Sequence, residues 1–106
     1  VVKNYNLMGP VKAALESSVR YLAYEMGAKQ IRVNSISAGP IATRAASGLA
    51  EFDQLLNKTS ELSPLAKELS IDDVGSLAAF LVSDAGSAIT GELTHVDCGY
   101  HTHGLM

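Results

Sequence analysis

Apolar residues recur at spacings of three and four near the start of the chain: Met8, Val11, Leu15, Val19, Leu22 and Met26. That period places them on one face and predicts an amphipathic helix over residues 5–26. Pro10 fits such a helix only near its first turn, and Gly27 is the expected stop. The pattern then changes. Ile31-Arg32-Val33-Asn34-Ser35-Ile36-Ser37 is short and contains β-branched residues, which predicts a strand over 31–37 that Ala38-Gly39-Pro40 ends abruptly. Helix, glycine stop and strand in this order point to a layered α/β fold with a parallel sheet.

From 41 to 63 the periodicity weakens. Leu49, Phe52, Leu55 and Leu56 form a short apolar stripe beside the small residues Ala45, Ala46, Ser47 and Gly48. By pattern alone this is an ordinary surface helix before it is a mobile lid. Ser63-Pro64 marks a turn. Ser70-Ile71-Asp72-Asp73 then resembles a capping box, with Asp in place of the usual Glu or Gln. The helix it opens directs Val74, Leu77, Ala78 and Leu81 inward and ends near Ser83-Asp84, and a last strand is expected over 92–97. A parallel sheet needs cover on both faces and neighbours for each strand. Two strands and two long helices fall short of that, so the chain is expected to belong to a larger unit.

Composition narrows the class. The 106 residues are 47% hydrophobic, which suits a core-forming domain and not a disordered segment. A net charge of −3 without a basic cluster argues against nucleic-acid binding. No apolar run reaches the length of about 20 residues that spans a bilayer, and the first ten residues lack the apolar block of a secretory signal. With one cysteine, a reducing cytosol is the expected compartment. The Asn57-Lys58-Thr59 acceptor pattern carries no weight in that setting.

Three constellations could carry chemistry. Seven residues at about 100° each bring Lys12 back to within about 20° of Tyr5 on a helix. An ammonium beside a phenol favours the phenolate and suits an acid that meets a developing enolate oxygen. The second is Ser37-Ala38-Gly39-Pro40-Ile41-Ala42-Thr43, at the C-terminal end of a strand, where open α/β sheets bind ligands. Its free amides and the Thr43 hydroxyl suit a carboxamide or a phosphate; a plain strand-to-helix turn is the other reading. The third is the tail, with His95, Cys98, His101 and His103 at close spacing. These side chains suit zinc chemically, but His95 falls in an expected strand and no second ligand cluster accompanies them. A structural role is preferred there, and no metal is expected.

The segment Asn4-Tyr5-Asn6-Leu7-Met8-Gly9-Pro10-Val11-Lys12-Ala13-Ala14-Leu15-Glu16 closely resembles the active-site helix of the bacterial enoyl-acyl-carrier-protein reductases. These enzymes form a branch of the short-chain dehydrogenase/reductase superfamily. Ile31 to Ile41 resembles that family's next strand and nicotinamide loop. Asp72-Asp73-Val74-Gly75, and Gly91-Glu92 with His95-Val96-Asp97, resemble its last helix and strand. Most of the superfamily places three residues between its Tyr and Lys, which here would put the Tyr at Met8. The enoyl reductase branch places six between them, as Tyr5 and Lys12 stand.

The resemblance implies the C-terminal half of a doubly wound, parallel-sheet Rossmann fold within a single domain. It also implies reduction of the trans-2 double bond of an enoyl thioester in fatty acid biosynthesis. Tyr5 would stabilise the enolate formed when hydride reaches the β-carbon, and Lys12 would hold the nicotinamide ribose. Ala38, Gly39, Pro40, Ile41 and Thr43 would bind the cofactor, NADH or alternatively NADPH. Tyr5, Met8, Ala45, Leu49 and Phe52 would meet the substrate, and residues 42–63 would be its lid, which reverses the pattern-only reading. The implied partners are an enoyl-acyl carrier protein and further copies of the chain, commonly four in the family, with no membrane or nucleic acid.

Two departures stand out. Ala42-Thr43-Arg44 replaces the Arg-Thr-Leu frequent after Gly-Pro-Ile, and Cys98 stands where Gly or Ser is frequent. A Gly-rich phosphate loop, a residue that tells NADH from NADPH and an upstream active-site Tyr all belong to the N-terminal half of such a domain. Without them the chain alone is expected to be inactive. The competing readings are another short-chain reductase acting on a carbonyl and a non-catalytic Rossmann-like interaction module.

Overall fold

A computed structural model describes residues 6–43 and 52–103. Its elements run in the order α1 (Met8–Gly27), β1 (Ser35–Ala38), α2 (Phe52–Leu62), α3 (Ile71–Val82) and β2 (Leu93–Val96), with single 3-10 turns at Asp84–Gly86 and Tyr100–Thr102. The two strands pair in one sheet. Its ladder is parallel: the Ser35 amide donates to the Glu92 carbonyl and the Gly39 amide to the Val96 carbonyl, each at 2.9 Å. The chain divides into two compact units, Val1–Ser35 with Leu81–Leu93, and Ile36–Phe80 with Thr94–Met106.

In the first unit α1 starts later than the pattern predicts. Asn6 and Leu7 form a turn, with Leu7 at the N-cap and its amide bonded to Asn6 Oδ1 at 2.9 Å. Pro10 therefore falls in the first turn, where its missing amide has no helical partner to lose. The stop is also built differently. Gln30, and not Gly27, takes the left-handed conformation (φ 59°). The Ile31 amide reaches back to the Met26 carbonyl at 3.3 Å and the Gln30 amide to the Gly27 carbonyl at 2.9 Å, a Schellman closure. Of the expected apolar stripe only Val19 is buried, joined by Ala23, while Val11 and Leu15 remain 56% and 52% exposed. Ala23 lies beside Gly91, where an added Cβ would stand in ordinary van der Waals contact, 3.5 Å from the Ala23 Cβ.

The strand expected over 31–37 begins only at Ser35. Side chains take the backbone partners upstream of it. The Val33 amide donates to Thr90 Oγ1 at 3.1 Å, Asn34 Nδ2 to the Ile89 carbonyl at 2.8 Å, and the Glu92 amide to Asn34 Oδ1 at 3.2 Å. Arg32 Nη1 donates to the Leu81 carbonyl in the last turn of α3, a favourable place for a cation.

In the second unit α3 opens on the expected capping box. The Asp73 amide donates to Ser70 Oγ at 3.1 Å, and the Ser70 amide donates to Asp73 Oδ2 at 2.9 Å. The shorter Asp side chain completes the reciprocal bond after all. Along α2, Leu55 and Leu56 are half-buried, but the buried positions are Thr59 and, just past the helix, Ser63. Their hydroxyls bond to the Leu55 and Thr59 carbonyls at 2.7 and 2.6 Å, which removes the cost of burying them.

Candidate functional site

The chain leaves β1 at Ala38, and Gly39 is the last residue tied into the ladder. A side chain at 39 has no room. A Cβ there would stand 3.0 Å from the Asp97 Cβ, 3.2 Å from the Asp97 Cα and 3.3 Å from Leu69 Cδ2. Glycine lets the turn rest directly on Asp97, and Pro40, with its fixed φ and no amide, carries the chain away from the sheet. The cavity beneath, lined by Gly39, Pro40, Leu56, Thr59, Asp97 and Cys98, has a volume of about 10 Å³. It is a packed joint and not a substrate pocket.

Asp97 is 8% exposed and follows β2 directly. Its carboxylate accepts from the Gly99 amide at 3.0 Å, the His101 amide at 2.8 Å and His101 Nδ1 at 2.9 Å. Burial pushes this carboxyl up, but the His101 ring and the two amides outweigh it and hold it below the usual range. The His101 ring stacks on His95, centroids 4.0 Å apart. The turn is tight: Cys98 (φ 57°) and Gly99 (φ 85°) are both left-handed, and Pro64 atoms lie 3.0–3.3 Å from where a Cβ on Gly99 would sit.

An open groove of about 360 Å³ lies beside this turn, lined by Leu65, Lys67, Leu69, Asp73, His95 and His101 among others. Lys67 and Asp73 pair in it at 3.0 Å. The bond from the Ser70 amide, followed by that from Lys67, lowers the Asp73 carboxyl to about 2, while the Asp73 bond raises Lys67. Among the described residues no group of three or more His, Cys, Asp or Glu side chains is placed to hold a metal ion, and no helix is long and apolar enough to cross a membrane.

The residues singled out in the sequence fall as follows. Ala38, Gly39, Pro40, Ile41 and Thr43 form one continuous turn in the second unit, with Gly39, Pro40 and Ile41 half-buried and Ala38 and Thr43 exposed. Lys12 is exposed and Met8 half-buried, four residues apart in the first turns of α1, in the first unit. Phe52 opens α2. Tyr5, Ala45 and Leu49 lie outside the described residues, as does much of the expected lid. The enoyl-(acyl carrier protein) reductase family model matches residues 1–101.

The chain belongs to this family. It is 53% identical over 105 residues to the NADH enoyl-acyl-carrier-protein reductase 1 of Rhizobium meliloti, covering 99% of this chain and 39% of that protein. The crystal structure of the Bacillus cereus enoyl-acyl carrier protein reductase with NADP+ and an indole naphthyridinone superposes with a TM-score of 0.95 at 51% identity, over 99% of this chain and 41% of that one. The Anaplasma phagocytophilum reductase in complex with NAD matches at a TM-score of 0.88 and 50% identity, over 99% and 38%. The chain thus spans about 40% of the length of the relatives it matches. Its architecture is part of an α/β Rossmann fold, with helices and a parallel sheet.

Two groups escaped the sequence reading. His101 enters the sequence reading only through the metal-like spacing of the tail and Asp97 only as the end of the expected last strand, although an Asp four residues before a His across a glycine turn is itself the signal of a side-chain pair. Lys67 had no signal beyond its nearness to the capping box.

Proposed function

We propose that this chain is the C-terminal part of a single Rossmann-type domain of an enoyl-acyl-carrier-protein reductase. The enzyme reduces the trans-2 double bond of an enoyl thioester in fatty acid biosynthesis. The observation that carries the reading is the turn at Gly39-Pro40-Ile41, tied to the C-terminal end of a parallel strand, where open α/β sheets take their ligands. The exposed residues Lys12 and Thr43 carry an ammonium and a hydroxyl, groups whose chemistry fits a ribose and a carboxamide or pyrophosphate.

NADH, when bound, supplies the hydride. Lys12 holds the nicotinamide ribose hydroxyls and keeps the ring against the double bond. Ala38, Gly39, Pro40 and Ile41 offer backbone groups to the carboxamide, and Thr43 adds its hydroxyl. Tyr5 donates to the thioester oxygen and stabilises the negative charge that develops there. Met8, Ala45, Leu49 and Phe52 line the acyl pocket, and residues 42–63 close over it. The substrate arrives on an acyl carrier protein, and the enzyme works as a homotetramer in the cytoplasm. NADPH is the second candidate donor, since the Bacillus cereus relative was solved with NADP+.

The test is the loss of NADH absorbance when the full-length protein carrying this chain meets a short enoyl thioester. Reduction of ketones in place of the thioester would move it to another branch of the superfamily. A protein inert to both would be a non-catalytic module.

A further inference from the structure

The Asp97–His101 pair has no part in the roles just assigned, yet it lies directly under the turn to which they are assigned. The Gly39 amide is bonded to the carbonyl of Val96, the residue before Asp97. Gly39 itself touches Asp97 so closely that a Cβ would come within 3.0 Å. Asp97 is in turn fixed from the other side: its buried carboxylate accepts two backbone amides and the His101 ring. Nothing else in this turn can replace the ring, because it is the one side-chain donor on that carboxylate among the described contacts.

We propose that Asp97 and His101 are positioning residues that set the backbone of Gly39-Pro40-Ile41. With Asp97 ionised, Nδ1 of His101 carries the proton it donates. With a carboxylate as acceptor this is a charge-assisted hydrogen bond, roughly twice as strong as a neutral one. Other charged and titratable groups bear on this ring. His95 stacks on it from β2. Cys98 lies in the same turn, and Lys67 and Asp73 line the same groove but are paired with each other. The effect on the cofactor rests on the reading under Proposed function; the effect on the turn does not.

Amide hydrogen exchange of the full-length protein, corrected for intrinsic rates, tests the turn. His101→Phe keeps a ring to stack on His95 but removes the donor, and His101→Gln restores an N–H. Protection at Gly39 and Ile41 should fall by a factor of about 5 or more in His101→Phe, and return in part in His101→Gln. An NADH titration of the same proteins should show Kd rising by a similar factor in His101→Phe. Unchanged protection at 39 and 41 overturns the proposal, as does an equal loss across α1 and α3, which would make the pair merely structural. Wild-type protein that shows the protection pattern but binds no NADH overturns the functional reading while upholding the positioning role.

Discussion

Gly39→Ala isolates the contact on which the site geometry depends. A helix or strand glycine usually becomes more stable as alanine, because the unfolded chain loses about 0.4–1 kcal/mol of freedom. At 39 the added carbon meets the Asp97 Cβ at 3.0 Å and Cα at 3.2 Å, atoms anchored to backbone, so only Leu69 Cδ2 can swing away. Overpacking of that kind costs about 1–3 kcal/mol. Set against the gain, the net loss is about 1–2 kcal/mol, a fall of roughly 0.5–1 M in urea midpoint. Gly75→Ala in α3 is the control. Its added Cβ meets nothing within 4 Å, and it should raise stability by about 0.5–1 kcal/mol. Urea unfolding of the full-length protein, followed by circular dichroism, reads both. A midpoint for Gly39→Ala that stays put, or rises with that of Gly75→Ala, refutes the close approach.

Ser70→Ala removes the α3 cap and should cost about 1 kcal/mol in the same assay. Asp73 sits below its unfolded value, so its contribution is complete above about pH 4 and drains away as the pH falls toward about 2; wild type should lose stability through that window and Asp73→Asn should lose less. Tyr5→Phe should lower kcat on an enoyl thioester by 10²–10³ or thereabouts with little change in NADH Kd, as for the loss of one oxyanion donor. Lys12→Ala should act in the opposite sense, weakening NADH chiefly, and equal NADH affinity in wild type and variant would end that assignment.

What could be read in advance depended on how local the cause was. The Ser70–Asp73 cap involves four consecutive residues and is legible as a motif. The ends of α1 were less legible, because Gly27 looks like a stop while the left-handed residue is Gln30, chosen by where the chain must turn next. The periodicity of Met8 to Met26 identified an apolar face but not which part is covered, since Val19 and Ala23 are buried by what packs on them. Gly39 read as a turn residue, yet its reason is Asp97, remote in sequence, and no spacing rule joins them. The same holds for Arg32 and Asn34, which look like strand residues until their side chains are seen serving carbonyls and amides near residue 90.

The balance between polar and apolar burial bears on the domain proposal. Among the described residues the buried apolar side chains are Val19, Ala23, Leu81 and Cys98, while Thr59, Ser63 and Asp97 are buried and hydrogen-bonded. Bonds of this kind fix local geometry well, but each adds only about 0.5–1.5 kcal/mol net, against about 1–2 kcal/mol of backbone entropy for every residue ordered. A fold of this length must draw most of its stability from apolar burial. Here Val11, Leu15, Tyr21 and Tyr24 on α1, with Phe80 and Val82 at the end of α3, are still exposed. The apolar area that would stabilise the fold is therefore present in the sequence but uncovered. If the chain is part of a single Rossmann domain, further layers of that domain and neighbouring subunits would cover these faces. The turn at Gly39, already braced by Asp97 and His101, would then be held on a rigid sheet.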